Sequence, residues 1–219
     1  MDVRMYTVGM IQENCFLVSH KDASEAVIVD PGDDAPKLLA AIEEHGLTLV
    51  GILITHTHFD HIGAVADLHD ATGAEVWCPE GELETLHDPN AVMRWEGFGP
   101  FRGYDAEHPV KGGDVVSLAG FDFQVVSTPG HSPDHVTYAL PDEGVLFSGD
   151  VLFQGSIGRT DLPGADHPTL MRSIATLLDR FDDAITVCPG HMGPTTLGQE
   201  RRTNPFILDM LDNGPAHPA

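Results

Sequence analysis

Seven consecutive residues, Thr55-His56-Thr57-His58-Phe59-Asp60-His61, constrain this chain more than any other stretch. They follow an apolar run, Leu49–Thr55, that reads as a buried strand, and they precede a helix-period segment over Gly63–Thr72. On extended backbone, side chains two apart face the same way, so His56 and His58 can grip one cation together. Asp60 and His61 fall where the chain turns into the helix and can address a second position close by. Four ligand-type side chains in six residues set a strand-to-helix junction as the chemical centre of the fold.

Three more candidate ligands stand at the ends of apolar segments. Thr128-Pro-Gly-His131 follows a strand over Phe121–Ser127, Phe147-Ser-Gly-Asp150 ends one over Val145–Ser148, and Cys188-Pro-Gly-His191 ends one over Ile185–Cys188. In each, glycine immediately precedes the ligand, as expected where backbone bends sharply. Ligands at several strand ends make a site on one rim of a sheet. Five histidines and two aspartates exceed what one tetrahedral ion needs, and suit two ions about 3.5–4 Å apart sharing a carboxylate. Imidazole with carboxylate fits Zn, Fe or Mn. The cysteines, Cys15, Cys78 and Cys188, are far apart and lack CxxC spacing, which argues against both a disulfide framework and a closed thiolate zinc site.

The remaining pattern is strands, then helix, twice over. Cys15–Ser19, Glu25–Asp30, Glu75–Cys78, Val115–Leu118 and Val136–Leu140 read as further strands; Ala35–His45, Thr169–Arg180 and a terminal segment around Gln199–Leu211 read as helices. Residues 79–110 read as an ordered irregular loop, the expected contact for substrate or another subunit. Residues 1–212 are expected to form a single domain with residues 213–219 as a flexible tail. The other histidines, His20, His45, His69, His87, His108, His135, His167 and His217, are expected to be surface or structural, with His135 set apart by lying four residues after His131.

Charge narrows the partners. The 219 residues carry 34 Asp plus Glu against 11 Lys plus Arg, a formal net charge of −23. That excludes a generic nucleic-acid binder and a protein docking on anionic lipid. No basic-then-apolar leader and no membrane-length apolar run is visible, so a soluble cytoplasmic protein is expected. A monomer and a homo-oligomer both remain open.

With H-x-H-x-D-H at a strand end, then His131, Asp150 and His191, the chain resembles the metallo-β-lactamase superfamily from Asp30-Pro-Gly32 to His191. The resemblance implies an α+β fold, a four-layer αββα sandwich with metals at one edge of two sheets. It implies a first metal on His56, His58 and His131, a second on Asp60, His61 and His191, and Asp150 as the bridge. Asp30 and Thr55 would support those ligands. An aspartate at the bridge is similar to glyoxalase II rather than true β-lactamases, and Gly149–Asp161 with Gln199–Phe206 resembles short, single-domain hydroxyacylglutathione hydrolase-like enzymes. Arg159 falls where that family has a basic residue for the thiol's carboxylate, whereas Asp161 replaces a tyrosine and the helical glutathione-binding domain is not in this sequence.

The activity so implied is hydrolysis of S-D-lactoylglutathione or a related acyl-thiol. The expected cofactors are two divalent ions, Zn2+ first among them, and the nucleophile a metal-bridging hydroxide with Asp60 as candidate proton acceptor. A persulfide dioxygenase with one iron, and a lactonase or other metallohydrolase of the superfamily, are the alternatives.

Overall fold

A computed structural model describes residues 1–92 and 99–213. Residues 214–219 of the expected tail, with His217, and the central part of the 79–110 segment (93–98) lie outside the described residues, whereas Asn213, expected in the tail, ends the last helix.

Seven residues missed by the strand pattern begin the fold. β1 (Asp2–Val8) pairs antiparallel with β2 (Glu13–Ser19), which pairs with β3 (Glu25–Val29). α1 (Ala35–Glu44) leads to β4 (Thr48–Leu53), parallel to β3. The stretch after β4 holds α2 (Phe59–Ile62) and α3 (Val65–Thr72), where one helix was expected. β5 (Glu75–Pro79) is parallel to β4.

The expected irregular loop then corrects in part to regular structure: a 3-10 turn at Glu80–Glu82, α4 (Leu83–His87), α5 (Pro89–Val92) and β6 (His108–Val110). These pieces are too short for periodicity to reveal. β6 closes a first sheet of order β1-β2-β3-β4-β5-β6.

The second half supplies β7 (Val115–Leu118), β8 (Phe121–Ser127), β9 (Val136–Leu140) and β10 (Val145–Gly149). A small hairpin, β11 (Leu152–Phe153) with β12 (Ser156–Ile157), precedes α6 (His167–Arg180), β13 (Thr186–Pro189) and β14 (Thr195–Thr196). The second sheet runs β14-β13-β10-β9-β8-β7. α6 starts two residues before the pattern suggested, because Asp166 caps it by accepting from the Thr169 N–H. The single terminal helix is in fact two, α7 (Leu197–Thr203) and α8 (Pro205–Asn213). Pro205 has no N–H to continue the first, and Asn204 Oδ1 accepts from the Phe206 N–H at 3.1 Å.

Period-two alternation sorts the strands into layers. Phe16, Val18, Val27, Val29 and Leu53 meet Phe123, Tyr138 and Phe147 between the sheets. Cys15, Leu17, Ile28 and Ile52 face the other way and pack with Leu38, Ile42, Val65 and Leu68 of α1 and α3. On the far side Ala139, Leu146 and Val187 pack with Leu170, Ile174 and Leu177 of α6. The result is the four-layer αββα sandwich. Among the described residues, no helix is long and apolar enough to cross a membrane.

Candidate metal centre

Each expected ligand follows a strand of this sandwich, and all seven arrive at one rim. His56 and His58 follow β4, Asp60 and His61 sit in α2, His131 follows β8, Asp150 follows β10 and His191 follows β13, with the supporting Asp30 just past the end of β3. Sheet-to-sheet bonds hold the rim together. The Val136 N–H donates to Thr55 O at 2.9 Å, and the Asn14 N–H donates to Gly190 O at 2.7 Å. Asn14 Nδ2 also donates to Met192 O at 2.7 Å, tying β2 to the His191 loop.

Hydrogen bonds at the backs of the rings fix which nitrogen faces inward. Thr55 donates its N–H and its hydroxyl to Asp30, at 2.7 and 2.6 Å. Its hydroxyl proton is thereby committed, so the contact at 3.1 Å to His56 Nδ1 makes that nitrogen the donor. His131 Nδ1 lies 2.8 Å from Arg159 O and must donate to it. Both Nε2 atoms are therefore bare lone pairs. They converge on His58 Nδ1, which lies 3.1 Å from His56 Nε2 and 2.8 Å from His131 Nε2. Three imidazole nitrogens facing one another, with at most one proton to share, is a donor set for a cation.

The second set follows the same logic. His61 Nδ1 lies 3.1 Å from Asp30 Oδ2, which turns Nε2 towards Asp150 Oδ1 at 3.4 Å and Asp60 Oδ2 at 3.7 Å. His61 Nε2 and Asp150 Oδ1 are buried without a hydrogen-bond partner. Native structures rarely tolerate such atoms, so they too fit a bound cation. His191 Nε2 stands 3.2 Å from Asp60 Oδ2. Asp150 faces both sets: Oδ2 is 3.4 Å from His131 Nε2 and 3.6 Å from His191 Nε2, while Oδ1 faces His61. The groups His56–His58–His131 and Asp60–His61–His191 can each hold an ion.

Titration in the metal-free protein reflects this crowding. Burial, then neighbouring imidazoles, pushes His56 well below its ordinary value, and burial with His131 brings His58 down to about 3. Burial also opposes charge on His61, but Asp60 and Asp150 outweigh it and raise His61 well above the usual range. Burial would raise Asp150, yet His61 holds it well below the ordinary carboxylate range.

Three contributors were not legible in the sequence. Glu82, buried, accepts from the Thr57 N–H and hydroxyl at 2.7 and 2.6 Å and from the Ser132 hydroxyl, joining the His56–His58 segment to the His131 loop. His135, expected to be structural, is fully buried and accepts the Asp150 N–H at Nε2, 3.2 Å away, while Nδ1 meets Thr128 Oγ1. Glu13 is buried behind His61, its Oε1 3.8 Å from Nδ1, and burial lifts its carboxyl well above the usual range. The available signal for His135 was its place four residues after His131; Glu13, at the start of β2 between Gln12 and Asn14, and Glu82 offered none.

Arg159 lines the cleft above the site but is held by Asp161 in a two-pronged ion pair, Nε to Oδ1 at 2.7 Å and Nη2 to Oδ2 at 2.8 Å. The other histidines take ordinary roles: His20 stacks on Phe121, His69 meets Ala74 O, and His87 and His108 pair with Asp105 and Glu75.

A family model for the metallo-beta-lactamase superfamily matches residues 8–191, the span that contains every one of these ligands. The chain belongs to that superfamily. It is 39% identical to hydroxyacylglutathione hydrolase GloC of Haemophilus influenzae, over 94% of this chain and 98% of that protein. Among solved structures it is similar to BLEG-1 B3 metallo-beta-lactamase, with a TM-score of 0.89 and 42% identity covering 94% and 99% of the two chains. It is also similar to TTHA1623 in a di-iron-bound form, with a TM-score of 0.84 and 42% identity covering 93% and 100%. The superfamily assignment makes the chain a metallo-hydrolase with a His/Asp cluster able to bind metal.

Proposed function

We propose that this chain is a binuclear thioester hydrolase, acting on S-D-lactoylglutathione or a related acyl-thiol as a soluble cytoplasmic enzyme without nucleic-acid or membrane partners. The observation that carries this reading is Asp150, one carboxylate turned towards both histidine sets. The likeness to hydroxyacylglutathione hydrolase GloC adds the substrate class. His56, His58 and His131 would hold one ion; Asp60, His61 and His191 the other; Asp150 would serve both. When bound, two divalent ions, Zn2+ first among the candidates, supply a water acidified towards neutrality and positive charge for a developing oxyanion.

The chain's own groups do the rest. Asp30 fixes the tautomer of His61 and, through Thr55, that of His56, so neither ring must reorient during a turnover. Asp60 reaches the cleft and stands beside His191, where it can accept a proton from water. A thiol has a pKa of about 8.5, so the leaving group departs as thiolate and requires no general acid. Ile11, Phe59 and Phe153 wall the cleft with apolar surface against which the substrate can seat.

Metal analysis paired with thiol release from S-D-lactoylglutathione tests the proposal. Two ions per chain, activity lost to chelators and to His58→Ala, and activity restored by Zn2+, Mn2+ or Fe2+ are expected. One iron per chain with oxygen consumption from a persulfide would replace this reading. Because a 42% identical structure is described as a B3 metallo-beta-lactamase, a β-lactam belongs in the same assay as the second substrate.

A further inference from the structure

A second, smaller cavity adjoins the cleft. It encloses about 170 Å³ and shares Ile11, Phe59 and Asp60 with the main chamber. Its further walls include Val8 of β1, Met10 in the turn that follows, Asp33 beyond β3, and Phe101. An apolar cavity of about 150 Å³ admits a benzene ring, so this one has room for a phenyl group or a short alkyl chain.

Its walls are held in place from several sides. Phe101 stacks on Phe59, with ring centroids 4.9 Å apart and planes at 30°. The Asn90 side chain grips both groups of the Phe101 backbone: Nδ2 donates to its carbonyl at 2.7 Å, and Oδ1 accepts its N–H at 2.9 Å. Arg102, the next residue, pairs with Asp67 and Asp70 of α3. At the β1–β2 turn, the Gly9 N–H donates to Asp34 Oδ2 at 3.2 Å and Lys37 Nζ donates to Thr7 O at 2.6 Å, which ties the turn to the start of α1.

Asp60, a candidate ligand, lines both spaces, so a thioester carbonyl at the candidate metal centre has two spaces for its two arms. Charge tells them apart. Arg159 lines the main chamber, whereas the Asp33 carboxylate lines the second cavity. An anionic thiol such as glutathione is drawn to the chamber that holds the cation, which leaves the second cavity to the acyl group.

We propose that the cavity walled by Val8, Met10, Phe59 and Phe101 is the acyl pocket, and that it selects thioesters whose acyl group ends in an uncharged apolar group the size of a phenyl ring. The proposal rests on the thioester-hydrolase reading and narrows its acyl side, leaving the thiol as that reading has it. The reaction is unchanged: water adds its oxygen to the acyl carbon, the carbon–sulfur bond breaks with its electron pair going to sulfur, and the products are an apolar carboxylic acid and the thiol.

The test compares S-acetylglutathione with S-phenylacetylglutathione, so recognition of the shared thiol cancels from their ratio. Each kcat/KM is divided by that ester's rate with hydroxide in free solution, which removes intrinsic reactivity. We expect the phenylacetyl ester to lead by about tenfold or more, as burial of a ring allows. Phe101→Ala takes away one ring wall, and Met10→Asp places a charge on a side chain that is 82% exposed and free of packing demands. Each should narrow the lead by roughly 3- to 10-fold, chiefly through a higher KM for the phenylacetyl ester. An acetyl ester equal or preferred in the wild type, or a lead unchanged in both variants, would overturn the proposal. Calorimetric binding of the two product acids to the zinc-loaded protein separates the two levels of argument. If neither ester is cleaved, the hydrolase reading falls. Phenylacetate bound about tenfold tighter than acetate, with the gap narrowed in Met10→Asp, then still upholds the pocket, and equal binding of the two acids sinks it.

Discussion

Glu82 Oε2 accepts both the N–H and the hydroxyl of Thr57, the residue between His56 and His58. Its other oxygen accepts from Ser132, next to His131, and from the Asp134 N–H at 3.4 Å. One buried carboxylate thus fastens the two segments that carry the first candidate ligand set, and all four of its bonds run towards it. The bond between Gly81 N–H and Asp134 Oδ2, 2.6 Å, adds a second tie at the same junction.

Glu82→Ala leaves buried donors on Thr57 and Ser132 without an acceptor. A stability loss of about 2–4 kcal/mol is expected in denaturant unfolding of the metal-free protein. A zinc competition titration should also show the first site weakened by about tenfold or more. Loss of stability with unchanged zinc affinity would mean that Glu82 is scaffold alone.

Gly190 has no room for a side chain. A Cβ there would collide with Asp150 Oδ1 and lie 2.6 Å from His61 Cε1. Gly190→Ala should keep the fold, because the residue already adopts ordinary backbone, and should lose metal from the second set first. Mass spectrometry of the native protein counts the ions; two retained per chain would contradict the expectation.

His135→Ala removes the acceptor of the Asp150 N–H, a bond buried beneath the site. A cost of about 1–3 kcal/mol is expected together with reduced metal occupancy. His135→Asn, which can offer an oxygen in place of the ring nitrogen, should recover part of both. If the asparagine variant behaves like the alanine variant, the role of His135 is packing.

The metal-free protein should lose stability in acid. His58 remains neutral down to about 3 when folded, whereas an exposed imidazole takes a proton near about 6.5. Between those values the unfolded chain binds more protons, so stability falls as pH drops from about 6.5 towards about 3. His56 and His135 act in the same direction, both lowered chiefly by burial. His61 and His191 oppose them: burial disfavours their charge, but carboxylate neighbours raise both, so their stabilisation is complete below about 6.5 and fades as pH rises through the raised values. In urea titrations, His58→Gln should flatten the loss between pH 6.5 and pH 5 by about 1–2 kcal/mol. Parallel wild-type and variant curves would refute this.

The candidate ligands were legible because each sits at the end of an apolar strand, and strand ends are where a sheet presents side chains at its rim. The pattern Thr55–His61 and the repeated Pro-Gly-His at His131 and His191 needed no knowledge of which strands are neighbours. The second helix break was equally visible in principle, since Asn204-Pro205 cannot continue a helix. β1 was not: its alternation is half-exposed at a sheet edge, and exposed Met5 blurs the pattern.

By itself, the sequence determined the seven candidate ligands and their positions relative to strands, because local periodicity and turn residues encode both, while the four-layer architecture came from the resemblance to a known family. Tertiary structure decided everything that joins distant segments. Glu82 meets Ser132 across 50 positions, His135 meets Asp150 across 15, and Asp30 meets His61 across 31. It also decided that Arg159 faces Asp161 instead of standing free, which is a matter of rotamer and turn geometry rather than composition. Hydrogen bonds have direction and short reach, so which nitrogen of a histidine faces a cation depends on what stands behind the ring, and only the fold supplies that neighbour.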